Sequence, residues 1–150
     1  MRVYGESDHQ LDDKGRINIP RKFQPLFDQG GFLTRAFNGK SLIYYSFEAW
    51  EEIQRFLGSL RFTEQSGVDV ARFLSCGTEV RLDGQGRLSI TPSLRRRAAL
   101  DKDVTLIALG DKIEIWDSQT WIDWEEAHLT QESMEIALAQ VSERLAASAG

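Results

Sequence analysis

The 150-residue chain is short of the residues that build cross-linked or metal-bound frameworks: it has one cysteine, Cys76, and two histidines, His9 and His128. One thiol permits no internal disulfide, and so few ligands offer no metal-binding spacing. Cys76 reads as a small packed residue. Long apolar runs are missing too. The run "VTLIALG" from Val104 falls far below the roughly 20 residues needed to span a bilayer, and the opening "MRVYGESDHQ" lacks the apolar core of a signal peptide. The expectation is a cytoplasmic protein without membrane contact, metal or other cofactor. No residues of a reaction centre emerge either: no nucleophile paired with a base, no phosphate loop, no paired catalytic carboxylates. Asp12 and Asp13 are adjacent, so in a strand or turn they point apart. A non-enzymatic protein with no small-molecule substrate is expected.

An excess of positive charge is also absent. The formal net charge is −5 and the pI about 5.1, which at first disfavours a nucleic-acid partner, because affinity for DNA comes mainly from neutralising phosphates. The charge is unevenly spread, however. Residues 122–150 hold six acids against one base, Arg144, so they carry the whole net charge and leave a neutral body of 17 acids and 17 bases. Local arrangement then decides. Hydrophobic residues at 41% and charged residues at 27% describe an ordinary globular chain, long enough for one domain or two small halves that share a core.

What is present is a stretch written twice. "LDDKGRINIP" at residues 11–20 returns as "LDGQGRLSIT" at 82–91. An offset of 71 residues (82 − 11) carries Gly15 onto Gly86, Arg16 onto Arg87 and Ile19 onto Ile90. With no gap it continues to Thr34 on Thr105, Gly39 on Gly110 and Trp50 on Trp121. Agreement at both ends of an ungapped register points to a duplicated unit. Bases cluster just after each copy: Arg21 and Lys22 after the first, Arg95, Arg96 and Arg97 after the second.

Each unit has the same coarse reading. Asp12 to Gly15 is a turn, with Gly15 free to take positive φ, and Arg16 to Ile19 is a short strand with Ile17 and Ile19 on one face. Gly86 and Arg87 to Ile90 repeat this. A short helix or turn follows, over 20–27 and 92–100, with proline near the helical start where its missing N–H costs little. Two strands then flank a tight turn, "FLTRAF-NGK-SLIYY" and "VTLIAL-GDK-IEIW"; Asn38-Gly39 is a strong hairpin signal. Ser46 and Asp117 are N-cap candidates for the next helices. Between the units a helix is expected around Val68 to Leu74 and a strand from Thr78 into Leu82, and the strand entering the first unit lies at Arg2 to Tyr4 or just after. From Glu132 to Ala147, Met134, Leu138, Val141 and Leu145 recur at helical spacing, giving an acidic amphipathic helix. Trp50 and Trp121 read as core or subunit-contact residues.

The segments "SDHQLDDKGRINIPRKF" and "CGTEVRLDGQGRLSITPSLRRRAAL" closely resemble the bacterial MraZ family of transcriptional regulators. Its most specific mark is the twice-written Asp-x-x-x-Arg element, here Asp12 to Arg16 and Asp83 to Arg87. The resemblance implies an α+β fold with a mainly β core: two tandem AbrB-like swapped-hairpin (double-split β-α-β) units forming a pseudo-dimer, with additional helices. The expected divisions are a first unit over 1–56, a connecting helical segment over 57–77, a second unit over 78–127, and an acidic C-terminal helix and tail over 128–150. The resemblance further implies a ring-like homo-oligomer bound to short G-rich direct repeats in double-stranded DNA at its own promoter, within the division and cell-wall gene cluster, and so a nucleoid location. Arg16 and Arg87 would offer guanidinium forks to guanine, Asp12 and Asp83 would hold those forks in place, and Gly15 and Gly86 would keep the turns close to DNA. Lys14, Arg21, Lys22, Arg95 and Arg96 would contact phosphate without reading sequence. Gln85 stands where the first copy has Lys14, which leaves the two halves unequal. Taken alone, Asp12 to Arg16 is also what an ordinary turn ion pair looks like, and Arg95 to Arg97 what the exposed side of a short helix looks like. An antitoxin-like module, with the acidic C-terminal segment as its partner-wrapping tail, or a purely structural ring, stays open as the alternative.

Overall fold

Short alternating segments bounded by glycine and proline become strands, and longer segments with helical spacing become helices. The computed structural model describes residues 1–59 and 65–149; residues 60–64 of the expected connecting segment lie outside that description. Contacts divide the chain into two compact units, Met1–Ser118 and Gln119–Gly150. The first contains β1 (Val3–Gln10), β2 (Arg16–Asn18), a 3-10 turn (Gln24–Phe27), β3 (Gly31–Arg35), β4 (Leu42–Ser46), α1 (Phe47–Ser59), α2 (Gln65–Leu74), β5 (Thr78–Val80), β6 (Arg87–Ser89), α3 (Pro92–Arg97), β7 (Asp103–Gly110) and β8 (Lys112–Asp117). The second is built from α4 (Ser118–His128) and α5 (Gln131–Ala149).

Six strands form one antiparallel sheet in the order β1-β7-β8-β4-β3-β5, and β2 pairs with β6 in a separate two-stranded ribbon. The duplication explains this order. Advancing the first-half strands by the repeat offset turns β1, β3 and β4 into β5, β7 and β8, and the same exchange reads the sheet order backwards. Each half therefore gives its entering strand to the other: β1 pairs with β7, and β5 pairs with β3. The pseudo-twofold axis passes through the ribbon, where Ile17 lies opposite its own counterpart Leu88. It also passes between β4 and β8, where Leu42 faces Ile115 and Tyr44 faces Ile113. The fold is thus α+β with a mainly β core, two swapped-hairpin units forming a pseudo-dimer within one chain.

The core lies between ribbon and sheet. Ile17, Ile19, Leu88 and Ile90 bury the inner face of the ribbon against Leu33, Leu42, Tyr44, Val104, Leu106, Ile113 and Ile115. Each such side chain, fully removed from water, contributes about 1.5–3 kcal/mol. Tyr44 stacks on Phe27 at 4.1 Å between ring centroids and donates its hydroxyl to the Val80 carbonyl at 2.7 Å, which ties β4 to the exchanged β5. A second cluster forms on the outer face of β3 and β4, where α1 and α2 pack; Phe32 stacks on Trp50 at 3.7 Å. The Ser46 hydroxyl accepts from the Ala49 N–H at 3.2 Å, capping α1 as expected.

Two elements, β1 and α5, differ from the sequence reading, and the segment expected as a short helix or turn takes one form in each half. β1 is eight residues long rather than a short entry strand, because it pairs along the whole of β7. The region after β2 forms only a 3-10 turn, with Pro25 at its start, whereas its counterpart is the α-helix α3, capped by Thr91 with Pro92 following. Finally, α5 buries none of its described side chains, and Met134, Leu138, Val141 and Leu145 are exposed. At the equivalent positions of α2, Val70 and Leu74 are packed into the second cluster. In α4, Trp124 stacks with both Trp121 and His128.

Candidate nucleic-acid interface

The two Asp-x-x-x-Arg stretches fold into turns with the same hydrogen-bond pattern. Asp12 Oδ1 accepts from the backbone N–H of Lys14 and of Arg16, both at 2.9 Å, and Asp12 Oδ2 accepts from Arg16 Nε at 2.7 Å. In the second copy Asp83 Oδ1 accepts from Gln85 and Arg87 at 2.9 Å, and Oδ2 from Arg87 Nε at 2.7 Å. The chain closes each turn by itself: Gly15 N–H donates to the Asp12 carbonyl and Gly86 N–H to that of Asp83. Spacing is the reason for the motif. An aspartate two residues before one N–H and four before another satisfies both, and its second oxygen is left to clamp the arginine. The backbone N–H of Arg16 foremost, then its side chain and the Lys14 N–H, hold the Asp12 carboxyl below its usual range despite some desolvation. The Arg87 backbone and side chain do the same for Asp83.

The clamp engages only Nε of each arginine, so the two terminal nitrogens of each fork have no protein partner among the described residues. Ribbon pairing sets their spacing. Arg16 lies opposite Ser89 and Arg87 opposite Asn18, so the arginines are diagonal neighbours, with Cα atoms about 7–8 Å apart. The alternation that buries Ile17 and Leu88 puts Arg16, Asn18, Arg87 and Ser89 together on the opposite, outward face. Asn18 and Ser89 are functional candidates that the sequence reading passed over. Their signal was available, as the out-of-phase positions of the same period-two pattern that marked Ile17 and Ile19 as inward.

Gly15 and Gly86 adopt φ of 76° and 75°, as a turn glycine must. Their missing side chains serve the protein interior as well. A Cβ built on Gly15 would lie 2.7 Å from Cζ of Arg95, and one on Gly86 would collide with the Gln24 side-chain amide. Gln24 and Arg95 are equivalents under the repeat, so each turn is packed against a residue of the other half. Reciprocal backbone bonds accompany this exchange: Ile19 N–H donates to the Gly86 carbonyl at 3.0 Å, and Ile90 N–H to that of Gly15 at 2.9 Å. Arg95 follows the second copy in sequence but stands against the first turn in space.

The other candidate cations are spread more widely. Lys14, Arg21, Lys22, Arg96 and Arg97 are exposed. Lys22 Nζ sits 5.0 Å from the centroid of the Phe23 ring and near Gly5 of β1. Arg97 Nε donates to Ser93 Oγ at 3.5 Å. Among the described residues no helix is long and apolar enough to cross a membrane.

With both turns in place, comparison with known families is decisive. The family described as "MraZ protein, putative antitoxin-like" matches over residues 3–73 and again over 73–145. The chain belongs to the MraZ family. The two matches fall on the two swapped halves, each carrying one Asp-x-x-x-Arg turn, and the family is of a regulator type.

Proposed function

We propose that this protein is a sequence-specific DNA-binding transcriptional regulator that acts on the division and cell-wall gene cluster, including its own promoter. It reads short G-rich direct repeats as a ring-like homo-oligomer and so resides on the nucleoid. The observation that carries this reading is the β2–β6 ribbon, whose outward face presents two arginines, each clamped at Nε and open at its terminal nitrogens. A two-stranded ribbon fits the major groove, and an arginine fork pairs with guanine O6 and N7. Arginines about 7–8 Å apart suit guanines roughly two base steps apart, at about 3.4 Å per step. The clamps also fix the forks in advance, which lowers the ordering cost on binding.

One ribbon on a neutral body offers few phosphate contacts. Affinity then comes from repeating it around a ring against repeated sites, through effective concentration. The test is fluorescence anisotropy of the full chain on its own upstream DNA and on a scrambled duplex at two salt concentrations. Wild type is expected to prefer the native sequence, and the Arg16→Ala, Arg87→Ala double variant to lose that preference while keeping its oligomeric size. Equal binding of both duplexes by wild type would overturn the reading. The antitoxin-like character ascribed to the family favours one second reading, an antitoxin-like module. Under that reading a co-expressed protein partner co-purifies stoichiometrically, and the double arginine variant leaves the complex intact.

A further inference from the structure

The duplicated turns differ at three places, and the fold decides how the differences combine. Within the turns themselves, the first has Asp13 and Lys14 where the second has Gly84 and Gln85. These two changes carry opposite charges and cancel. The third difference comes from outside: Arg95 packs on Gly15, while Gln24 packs on Gly86. The first turn with its neighbour therefore carries one net positive charge, and the second carries none. Arg81 and Asp28, of opposite charge, also line the space beside Gln24 and the second turn, so the difference between the two packing residues comes from Arg95.

The two packing residues are also held differently. Gln24 spends its amide inside the protein, with Nε2 donating to the Ile19 carbonyl at 2.8 Å. Arg95 forms no ion pair or side-chain hydrogen bond among the described residues, and its buried Nε has no acceptor. A buried guanidinium nitrogen without an acceptor is costly, and among the described residues no carboxylate lies within ion-pairing distance of the half-exposed Arg95. Its backbone is nonetheless fixed. Leu100 N–H donates to the Arg95 carbonyl and Ala99 N–H to the Arg96 carbonyl, with Ala99 at φ 49°, the arrangement that ends a helix firmly.

We infer that Arg95 is a phosphate-anchoring residue for the first turn, so that the pseudo-symmetric ribbon meets DNA in one preferred orientation. Its ligand is a backbone phosphate flanking the base that Arg16 faces. Arg87 reads its base without that anchor. Such a contact adds affinity and salt dependence but no base preference. It also gives a twofold scaffold the polarity that a direct repeat, unlike a palindrome, demands. The inference rests on the DNA-binding reading proposed above.

The experiment measures binding of the full chain to native and scrambled duplexes across a salt series, with Arg95→Gln, Gln24→Arg and the double exchange. Arg95→Gln copies the second turn's own solution. It is expected to weaken binding to both duplexes by similar factors, about five- to tenfold at low salt, and to flatten the log–log salt slope by about one. The ratio of native to scrambled affinity is expected to stay constant. Gln24→Arg should steepen the slope by about the same amount. The double exchange should recover wild-type affinity while reversing the orientation in which a DNA-end cleavage probe attached to the protein cuts the site. Thermal melts accompany each variant, and if Arg95→Gln is unstable, the gain in Gln24→Arg decides. If wild type prefers its native duplex but neither variant changes affinity or slope, the anchoring role is wrong and the regulator reading stands. If wild type shows no preference, the regulator reading itself fails.

Discussion

At the residue scale, each aspartate does two jobs with two oxygens, and the order of those jobs is testable. Because Asp12 Oδ1 accepts from the backbone N–H of Lys14 and Arg16, the turn is expected to survive loss of the arginine side chain. In Arg16→Ala, a carboxyl-detected NMR titration should show Asp12 moving up yet still titrating below 3.8; a midpoint at or above the ordinary value would mean that the arginine holds the turn together. The sign of the linkage follows. A carboxyl with a depressed folded-state pKa contributes stability that is complete above its unfolded value and is lost as pH falls through the folded one. The turns are therefore intact throughout the neutral range and weaken only in the acid range below about 4. Ala99 gives a second prediction. It is the one non-glycine with positive φ among the described residues, and it closes α3 at a position that glycine occupies without strain. Ala99→Gly should raise stability by about 1 kcal/mol in chemical denaturation, with the slope of the transition unchanged.

At the element scale, the β2–β6 ribbon separates packing from recognition by a single alternation. Leu88 is fully buried on the axis, opposite Ile17. Leu88→Ala should cost about 2–5 kcal/mol, read as a lower denaturation midpoint. Asn18 and Ser89, on the outward face, should tolerate alanine within about 0.5 kcal/mol, yet the double variant should bind native DNA more weakly; unchanged binding would remove these two residues from the readout. Much of each half was legible beforehand, because Gly15, the alternation at Ile17 and Ile19, and the Asn38-Gly39 hairpin between β3 and β4 all act through near neighbours in sequence. The length of β1 was not, since Gly5, Glu6, Ser7 and Asp8 have little intrinsic strand preference and extend only because β7 provides a partner. Nor could the sequence show which turn Arg95 serves. Proximity along the chain pointed to the second, and the exchange of strands between halves carried it to the first.

At the scale of the whole molecule, the duplication is more than two copies side by side, because neither half owns a complete core. Among the described residues, β1 has its only sheet partner in the second half, and β5 has its own in the first. Ile17 meets Leu88, Tyr44 bonds to Val80, and each turn glycine is covered from across the axis. A chain ending at Gly77 keeps β1 to β4, α1 and α2 but loses every one of those partners. It still carries a copy of each surface they came from, since the halves are equivalent: Ile17 can face Ile17 of a second molecule, and β1 can pair with that molecule's β3. The expected product is a symmetric homodimer, with Gln24 packed on Gly15 of its mate in both directions. Its melting temperature should rise with protein concentration, as dimer formation coupled to folding requires, and sedimentation should show no folded monomer at micromolar concentration. A folded half-chain monomer with a concentration-independent transition would mean that one half can complete a core alone, and that the exchange of strands is an ornament of the fold rather than its condition.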